Sequence, residues 1–217
     1  VRRVLDFLFD QQSVLEFRPV CGRALVTALA RIEGHPVVVI ASDCRHLGGA
    51  IDVDAARKAS DMMELAKRWQ LPIVSLVDTP GFMVGPESEA MGAAKVMPEL
   101  FNTAASVTTP WVGLFLRRGY GLGAMALVGG SFEFPTLTAS WPQGEFGGMG
   151  LEGAVRLGFK KELEATPAGE ARDALYEKLV AEMYQKGRAT EAAAYLEIDM
   201  VIDPAESRSV ILRGLGL

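Results

Sequence analysis

Short apolar runs alternate with helical patterns along this chain, and this alternation predicts an α/β fold. Residues 73–77 and 111–116 are apolar runs, interrupted by a polar side chain only at Ser75, and such runs are typical of strands that are buried on both faces of a sheet. Residues 23–32 and 36–41 are two further β-rich runs, and the Glu33-Gly34-His35 segment between them predicts a hairpin. Because a helical pattern separates the later strands, the sheet is expected to be parallel or mixed.

The helical patterns have recognisable boundaries. Residues 1–12 carry an apolar helical stripe, and Asp54 is the expected N-cap of a helix that ends near Trp69. A later helical region contains Pro98, which predicts a kink or a restart near Met97 because proline cannot donate to the helical ladder.

The last third of the chain is mainly helical after one more strand. Residues 134–141 predict that strand, and the glycine-rich segment 141–150 follows it. Helices are expected from Leu151 onward, with a break near Thr166-Pro167. Asp203-Pro204 predicts an N-cap followed by proline at the first helical position, which opens the last helix.

Two glycine-bearing loops follow buried strands and predict a ligand site. The Tyr120-Gly121-Leu122-Gly123-Ala124 turn follows the run at 111–116, and Asp78-Thr79-Pro80-Gly81-Phe82 follows the run at 73–77. Glycine permits positive φ and close approach, and a helix that begins at such a turn points unpaired N–H groups and the positive end of its dipole outward. The first loop is therefore predicted to bind an oxyanion. Both loops are expected at one edge of the sheet, where α/β folds bind ligands.

Composition narrows the class of partner and cofactor. The formal net charge of −5 argues against nucleic acid as the main partner, and no apolar run is long enough to cross a bilayer. Cys21 and Cys44 are the only cysteines, and the Cys44-Arg45-His46 cluster offers no third ligand, so neither a metal site nor a disulfide framework is expected. This cysteine usage suits a reducing compartment, which predicts a cytoplasmic protein. The 217 residues are enough for one domain, which we expect to be cut from, or numbered within, a longer polypeptide because the chain begins at Val1.

Four motifs in a fixed order resemble one enzyme family. They are the 78–82 loop, the 120–124 turn, Met149-Gly150-Leu151-Glu152-Gly153-Ala154-Val155 and Ile198-Asp199-Met200-Val201-Ile202-Asp203-Pro204. From about Leu15 to its end, the chain resembles the C-terminal half of the carboxyltransferase (β) subunit of biotin-dependent acyl-CoA carboxylases of the propionyl-CoA and methylcrotonyl-CoA carboxylase type. Each motif alone is a weak signal, and it is their combination and order that are specific.

The resemblance implies a fold, a reaction and partners. The fold would be a crotonase-like ββα superhelix, with residues 1–217 forming a single C-terminal carboxyltransferase domain. The reaction would move a carboxyl group from carboxybiotin to the α-carbon of a short-chain acyl-CoA of the acetyl-, propionyl- or methylcrotonyl-CoA type. The implied partners are a biotin carboxyl carrier or biotin carboxylase subunit, the acyl-CoA substrate, and an N-terminal, acyl-CoA-binding carboxyltransferase domain absent from this chain. The full subunit would form trimers or hexamers.

The resemblance also implies the site residues. Backbone N–H groups would stabilise a developing oxyanion, with the biotin ureido oxygen as the expected recipient, at Gly121, Leu122, Gly123 and Ala124. The spacing leaves open which two of these amides donate. Positions that would line the biotin side of the cleft, or lie beside the hole and limit acyl-chain size, are Pro80, Gly81, Phe82, Met125 and Ala126. No nucleophilic side chain is required, because preorganised donors suffice for such a transfer.

Several other interpretations stay open. Asp78 is either a turn residue or a catalytic base, and Arg117-Arg118 is either exposed, salt-bridged or a contact for CoA phosphates or the carrier. A biotin-dependent acyl-CoA decarboxylase subunit would run the same transfer in reverse, and an inactive assembly domain would keep the fold without activity. An enoyl-CoA hydratase fits less well, because no paired glutamates stand in the expected loop context.

Overall fold

A mixed eight-stranded sheet with ten α-helices around it organises residues 1–217, all of which the computed structural model describes. The strands are β1 (Leu15–Phe17), β2 (Leu25–Ile32), β3 (His35–Ser42), β4 (Ile73–Thr79), β5 (Trp111–Tyr120), β6 (Leu137–Ser140), β7 (Glu145–Gly147) and β8 (Met200–Val201). The helices are α1 (Arg2–Leu8), α2 (Val53–Trp69), α3 (Pro86–Ala90), α4 (Ala93–Ala105), α5 (Gly121–Ala126), α6 (Leu151–Gly158), α7 (Lys160–Ala165), α8 (Glu170–Lys186), α9 (Ala189–Ala194) and α10 (Ser207–Leu215). None of these helices combines the length and the apolar character needed to span a bilayer.

The sheet order is β1-β2-β3-β4-β5-β6-β8, and β7 pairs separately with the end of β5. The first three strands are antiparallel, and β2 and β3 form the predicted hairpin, with positive φ at both Glu33 and Gly34. From β3 to β8 every pairing is parallel. The predicted mixed sheet is therefore confirmed, and its parallel part brings the carboxyl ends of β4, β5 and β7 to one edge.

Helices cover both faces of the sheet, so its central strands are buried on each side. The α2 and α4 helices pack against one face, and α1 and α10 pack against the other. All seven residues of β4 are buried, which explains why its sequence is mostly apolar and does not alternate; its polar residues Ser75, Asp78 and Thr79 are hydrogen-bonded inside the protein.

Two predicted boundaries in the first half of the chain are wrong. The N-cap of α2 is Asp52, whose side chain accepts a 2.7 Å hydrogen bond from the Ala55 amide, and not Asp54. The helical region restarts at Gly92, which has a φ of 90°, and not near Met97; Pro98 lies inside α4, and the predicted alternative of a kink there stays a prediction. The helix continues through the proline because the buried side chains on either side of it, Val96 and Leu100, are packed into the core.

In the second half of the chain, the helix boundaries predicted from proline and aspartate lie closer to those of the structure. The break near Thr166-Pro167 is confirmed, since α7 ends at Ala165 and α8 begins at Glu170. Asp203 caps the short 3-10 turn Pro204–Glu206, with its side chain accepting from the Ala205 amide at 2.8 Å, and this turn leads directly into α10, whose own N-cap is Glu206. The strand predicted at 134–141 is shorter, because only residues 137–140 find a partner in β5.

Candidate functional site

The two glycine-bearing loops predicted to share an edge of the sheet are in direct backbone contact. Strands β4 and β5 are parallel, and Thr79 lies opposite Gly119 at their ends. A Cβ atom on Gly123 would lie 2.7 Å from the carbonyl carbon of Gly81 and 2.8 Å from the nitrogen of Phe82. Only glycine allows this approach, so the predicted convergence of the loops is confirmed.

A third glycine-rich segment forms the opposite wall of the site. Strand β7 pairs with Arg118–Tyr120, which brings Gly147 and Gly148 alongside the turn. Gly121 has a φ of 60°, and a Cβ atom there would lie 2.8 Å from the carbonyl oxygen of Gly148. The 141–150 segment was recognised in the sequence as glycine-rich, but nothing in its local pattern assigned it to the site.

A cleft of about 350 Å³ opens between these walls. Its lining is Gly121, Met125, Ser131, Phe132, Glu133, Phe146, Gly147, Gly148 and Glu197. The Phe132 and Phe146 rings meet edge-to-face with centroids 5.8 Å apart, and Phe115 lies 4.9 Å from Phe146 behind them. One part of the cleft is therefore aromatic, and glycine backbone forms another.

The four predicted amide donors differ in exposure. Leu122 is 63% exposed and Gly121 is partly exposed, whereas Gly123 and Ala124 are buried. No side chain caps the start of α5, and the first amides of a helix have no partner in its own i→i−4 ladder. The oxyanion hole stays a prediction, and this exposure pattern favours the beginning of the turn.

The five predicted cofactor-binding positions fall into two groups. Met125 lines the cleft, and the neighbouring Ala126 is buried. Residues 80–82 do not line this cleft. Instead, the Phe82 ring packs on Phe101 with centroids 6.3 Å apart, and the Gly81 backbone supports the turn. Their contact with biotin also stays a prediction.

Buried hydroxyl groups hold the loops in place. Thr79 Oγ1 donates to the carbonyl of Gly49 at 2.7 Å and accepts from the Gly81 amide at 3.1 Å. Ser75 Oγ donates to the carbonyl of Leu127, at the end of α5, at 2.6 Å and accepts from Trp111 Nε1 at 2.9 Å. The loop at Gly81 and the end of α5 are thus each held by a hydroxyl group, and nothing in the sequence distinguished Thr79 or Ser75 from ordinary core residues.

Asp78 is a structural ion-pair residue at the same edge. Its carboxylate accepts from Arg118 Nε at 2.9 Å and from Arg117 at 3.0 Å, and Arg118 also donates to the carbonyl of Gly48 at 2.6 Å. Burial opposes ionisation, but the hydrogen bonds from the two guanidinium groups outweigh it and lower the pKa of Asp78. A carboxylate with a lowered pKa is a weaker base, so this geometry favours the structural interpretation of Asp78 and the salt-bridged one of both arginines.

Replacing Asp78 with asparagine is expected to lower the free energy of unfolding at pH 7 by roughly 2–3 kcal/mol, because Arg118 would lose its ion pair in a largely buried setting. Since the folded pKa is lowered, the wild-type carboxylate contributes its full stability above the unfolded value of about 3.9, and this contribution is lost as pH falls through the folded pKa. Urea unfolding at pH 7 and pH 3 should therefore show a smaller difference between wild type and variant at pH 3.

The matched control for this experiment is Asp61→Asn. Asp61 pairs only with Arg18, and both side chains are more than half exposed. The control should change stability by less than about 0.5 kcal/mol. Equal effects of the two substitutions at both pH values would contradict the role given to Asp78.

The structure offers no cluster of metal ligands. No three His, Cys, Asp or Glu side chains lie close enough together to share an ion.

The amino-acid sequence is similar to a known protein family and to several of its members. Residues 1–216 match the carboxyl transferase domain family. The methylmalonyl-CoA carboxyltransferase 12S subunit of Propionibacterium freudenreichii subsp. shermanii is 33% identical over 100% of the chain, which covers 41% of that protein. The biotin-dependent long chain acyl-coenzyme A carboxylase beta4 subunit of Mycobacterium tuberculosis is 31% identical with the same coverage. The chain therefore spans about two fifths of the length of these relatives.

Solved structures give the same result for the fold. The structure of transcarboxylase 12S with bound methylmalonyl-CoA is 30% identical with a TM-score of 0.92, and the match covers 100% of this chain and 41% of that one. A single-chain, multi-domain long-chain acyl-CoA carboxylase is 50% identical with a TM-score of 0.88, covering 98% of this chain and 21% of that one. These matches confirm the predicted crotonase-like α/β fold.

Proposed function

Because the chain belongs to the carboxyl transferase domain family, we propose that it is the carboxyltransferase component of a biotin-dependent acyl-CoA carboxylase. The observation that carries this proposal is the close packing of three glycine-bearing segments: Gly121 and Gly147–Gly148 line the cleft, and Gly81 packs behind it against Gly123. Glycine-only contacts keep side chains away from the start of α5, which is the requirement for backbone amides to reach a ligand oxygen.

The chain's own residues fit a biotin-type cofactor. Carboxybiotin, when bound, supplies the carboxyl group and takes the proton that leaves the α-carbon of the thioester. The aromatic part of the cleft at Phe132 and Phe146 would hold an apolar ring system, and the turn at Gly121–Leu122 would donate N–H groups to an oxygen that gains negative charge. The exposure of Gly121 and Leu122 supports these two positions over Gly123 and Ala124 as the open part of the turn.

We propose further that Met125 limits the length of the acyl chain that the cleft accepts. Met125 lines the cleft beside Gly121, where a flexible thioether would limit the size of the acyl group. The family resemblance favours a short-chain acyl-CoA, whereas the 50% identical structure is a long-chain acyl-CoA carboxylase. A substrate series from acetyl-CoA and propionyl-CoA through methylcrotonyl-CoA to a long-chain acyl-CoA separates these alternatives.

The remaining part of the active site would come from other domains. Since the chain spans 41% of its relatives, we place the acyl-CoA-binding carboxyltransferase domain and the biotin carrier outside it. The related structure of transcarboxylase 12S is described as a hexamer, and a hexamer or trimer of the full subunit is the assembly we propose here.

The test is a reconstituted transfer assay with Gly121→Ala as the variant. The new Cβ at positive φ would press on the Gly148 carbonyl and displace the turn, so kcat is expected to fall about 100-fold, the loss typical of one misplaced oxyanion donor. Isotope transfer from carboxybiotin to each acyl-CoA, with the complementary domain present, measures this directly.

Gly150→Ala is the control for this assay, because nothing lies within 4 Å of its Cβ position and it precedes α6 in the same segment. It should keep nearly full activity. If the wild-type assembly carboxylates none of these thioesters, the proposal fails. If only decarboxylation of a carboxylated thioester is seen, the reverse-running decarboxylase takes its place.

A further inference from the structure

One side-chain hydrogen bond joins the two glycine walls of the cleft. The Tyr120 hydroxyl donates to Glu145 Oε2 at 2.7 Å. Tyr120 is the last residue of β5 and the N-cap of α5, and Glu145 is the first residue of β7. The residue that follows Tyr120 is Gly121, and β7 leads directly to Gly147 and Gly148.

Apart from this bond, strand β7 is held by its buried Phe146 ring, which packs on Phe115 and Phe132, and by a few backbone contacts. It is three residues long and pairs with β5 beyond the point where β6 has separated. On its other side it is held by an isolated bridge between Glu145 and Arg188 and by the bond from the Phe146 amide to the carbonyl of Gly187, at 2.7 Å. The Phe146 ring anchors the middle of β7, whereas the partly buried bond from Tyr120 to Glu145 is the side-chain contact that ties the first residue of β7 to the residue before Gly121.

Tyr120 is well placed to act as a permanent donor. Only 4% of the residue is exposed. Burial and the neighbouring Glu145 raise the pKa of the phenol, so Tyr120 keeps its proton throughout the neutral range and cannot serve as a base there. Its hydroxyl proton is committed to Glu145, and neither group lines the cleft.

We propose that Tyr120 is a positioning residue which, through its hydrogen bond to Glu145, sets the distance between the 121–124 turn and the Gly147–Gly148 wall. This inference rests on the proposed function, in which amides of the turn stabilise a developing negative charge. Such donors must stay within about 0.5 Å of the productive geometry, and a displacement of about 1 Å can cost 100-fold in rate. The bond would therefore act on kcat and leave ground-state binding of the acyl-CoA nearly unchanged.

The first experiment compares Tyr120→Phe, Glu145→Ala and Glu145→Gln in the reconstituted transfer assay. Phenylalanine and alanine each remove the bond, so kcat should fall 10- to 100-fold with KM within about twofold. Glutamine keeps an acceptor oxygen for Tyr120, so Glu145→Gln should keep kcat within about threefold. The double variant Tyr120→Phe/Glu145→Ala should be no slower than the slower single variant, because both remove one interaction.

Several results would overturn this role. Equal losses in Glu145→Gln and Glu145→Ala would mean that the charge of Glu145 matters and not the bond. Unchanged kcat in Tyr120→Phe, or additive losses in the double variant, would also contradict the positioning role of Tyr120.

The second experiment does not depend on transfer activity. Amide hydrogen exchange in the 217-residue chain should become about tenfold faster in Tyr120→Phe for peptides covering 121–126 and 144–150. The control is Tyr184→Phe, which removes an equivalent 2.6 Å bond from Tyr184 to Glu152, between α8 and α6. It should leave these two peptides unchanged.

The two experiments together separate this inference from the proposed function. Unchanged exchange in Tyr120→Phe, or the same increase in both tyrosine variants, would contradict the positioning role whatever the assay shows. Faster exchange confined to Tyr120→Phe, in a wild-type assembly that transfers no carboxyl group, would retain the structural link and reject the proposed function alone.

Discussion

Gly123→Ala is expected to abolish most transfer activity and to destabilise the fold by about 3 kcal/mol. The added methyl group would stand 2.7–2.8 Å from backbone atoms of Gly81 and Phe82. Backbone cannot rotate aside as a side chain can, so either α5 or the 81–82 loop must move. Overpacking of this kind costs about 1–3 kcal/mol or more.

The functional loss follows from the same displacement. The start of α5 carries the proposed amide donors, and losing one such donor costs roughly 100- to 1,000-fold in kcat. Urea unfolding and the transfer assay should therefore both show the change. A variant with wild-type stability and wild-type kcat would contradict the close contact between the two loops.

Gly153→Ala is the matched control. Gly153 lies inside α6, and its nearest neighbour would be the terminal methyl of Met149 at an ordinary 3.7 Å. Alanine is the better helix former, so this variant should gain about 0.5–1 kcal/mol and keep its activity. The two glycine-to-alanine substitutions are therefore expected to change the free energy of unfolding in opposite directions.

Lys58→Met is expected to lower the free energy of unfolding by about 2–4 kcal/mol. Lys58 is only 2% exposed, and its Nζ donates to the carbonyls of Arg18, Cys21 and Leu25 at 2.9–3.0 Å. Methionine fills the space of the aliphatic part of the lysine side chain but leaves three carbonyl oxygens without a donor. Each unpaired carbonyl costs about 1–3 kcal/mol before the structure relaxes. Release from the cost of burying a charge offsets part of this loss.

The pH dependence gives this prediction a second signature. Burial lowers the pKa of Lys58 in the folded state. Between that lowered value and the unfolded value of 10.5, the unfolded chain binds more protons, so the contribution of Lys58 to stability rises with pH. The difference in unfolding free energy between wild type and Lys58→Met should therefore increase across this alkaline window.

Arg57→Met is the control for Lys58. It is the preceding residue on α2, its side chain is 55% exposed, and its partner is Asp54 at 3.5 Å. A change below about 0.5 kcal/mol is expected. The same destabilisation in both variants would mean that the three carbonyl contacts of Lys58 contribute nothing specific.

The sequence by itself determined the features that depend on a few neighbouring residues. Glycine and proline marked the hairpin at 33–34, the turn at 121 and the break near 167, because each of these residues acts on its own backbone. Mostly apolar runs at 73–77 and 111–116 predicted β4 and β5, since a strand that is covered on both faces does not alternate between apolar and polar residues. The order of four such motifs was also enough for the family resemblance, which is confirmed.

Only the tertiary structure decided which of these features meet. β7 is three residues long, too short for any periodicity, and it became a wall of the cleft only by pairing with β5. The partners of Asp78, Lys58 and Tyr120 lie 25 to 40 residues away along the chain, so their charges and hydroxyls have no local signature. Pairing and burial over such separations depend on how the sheet is assembled, and that is why the sequence located the turn but the fold defined the site around it.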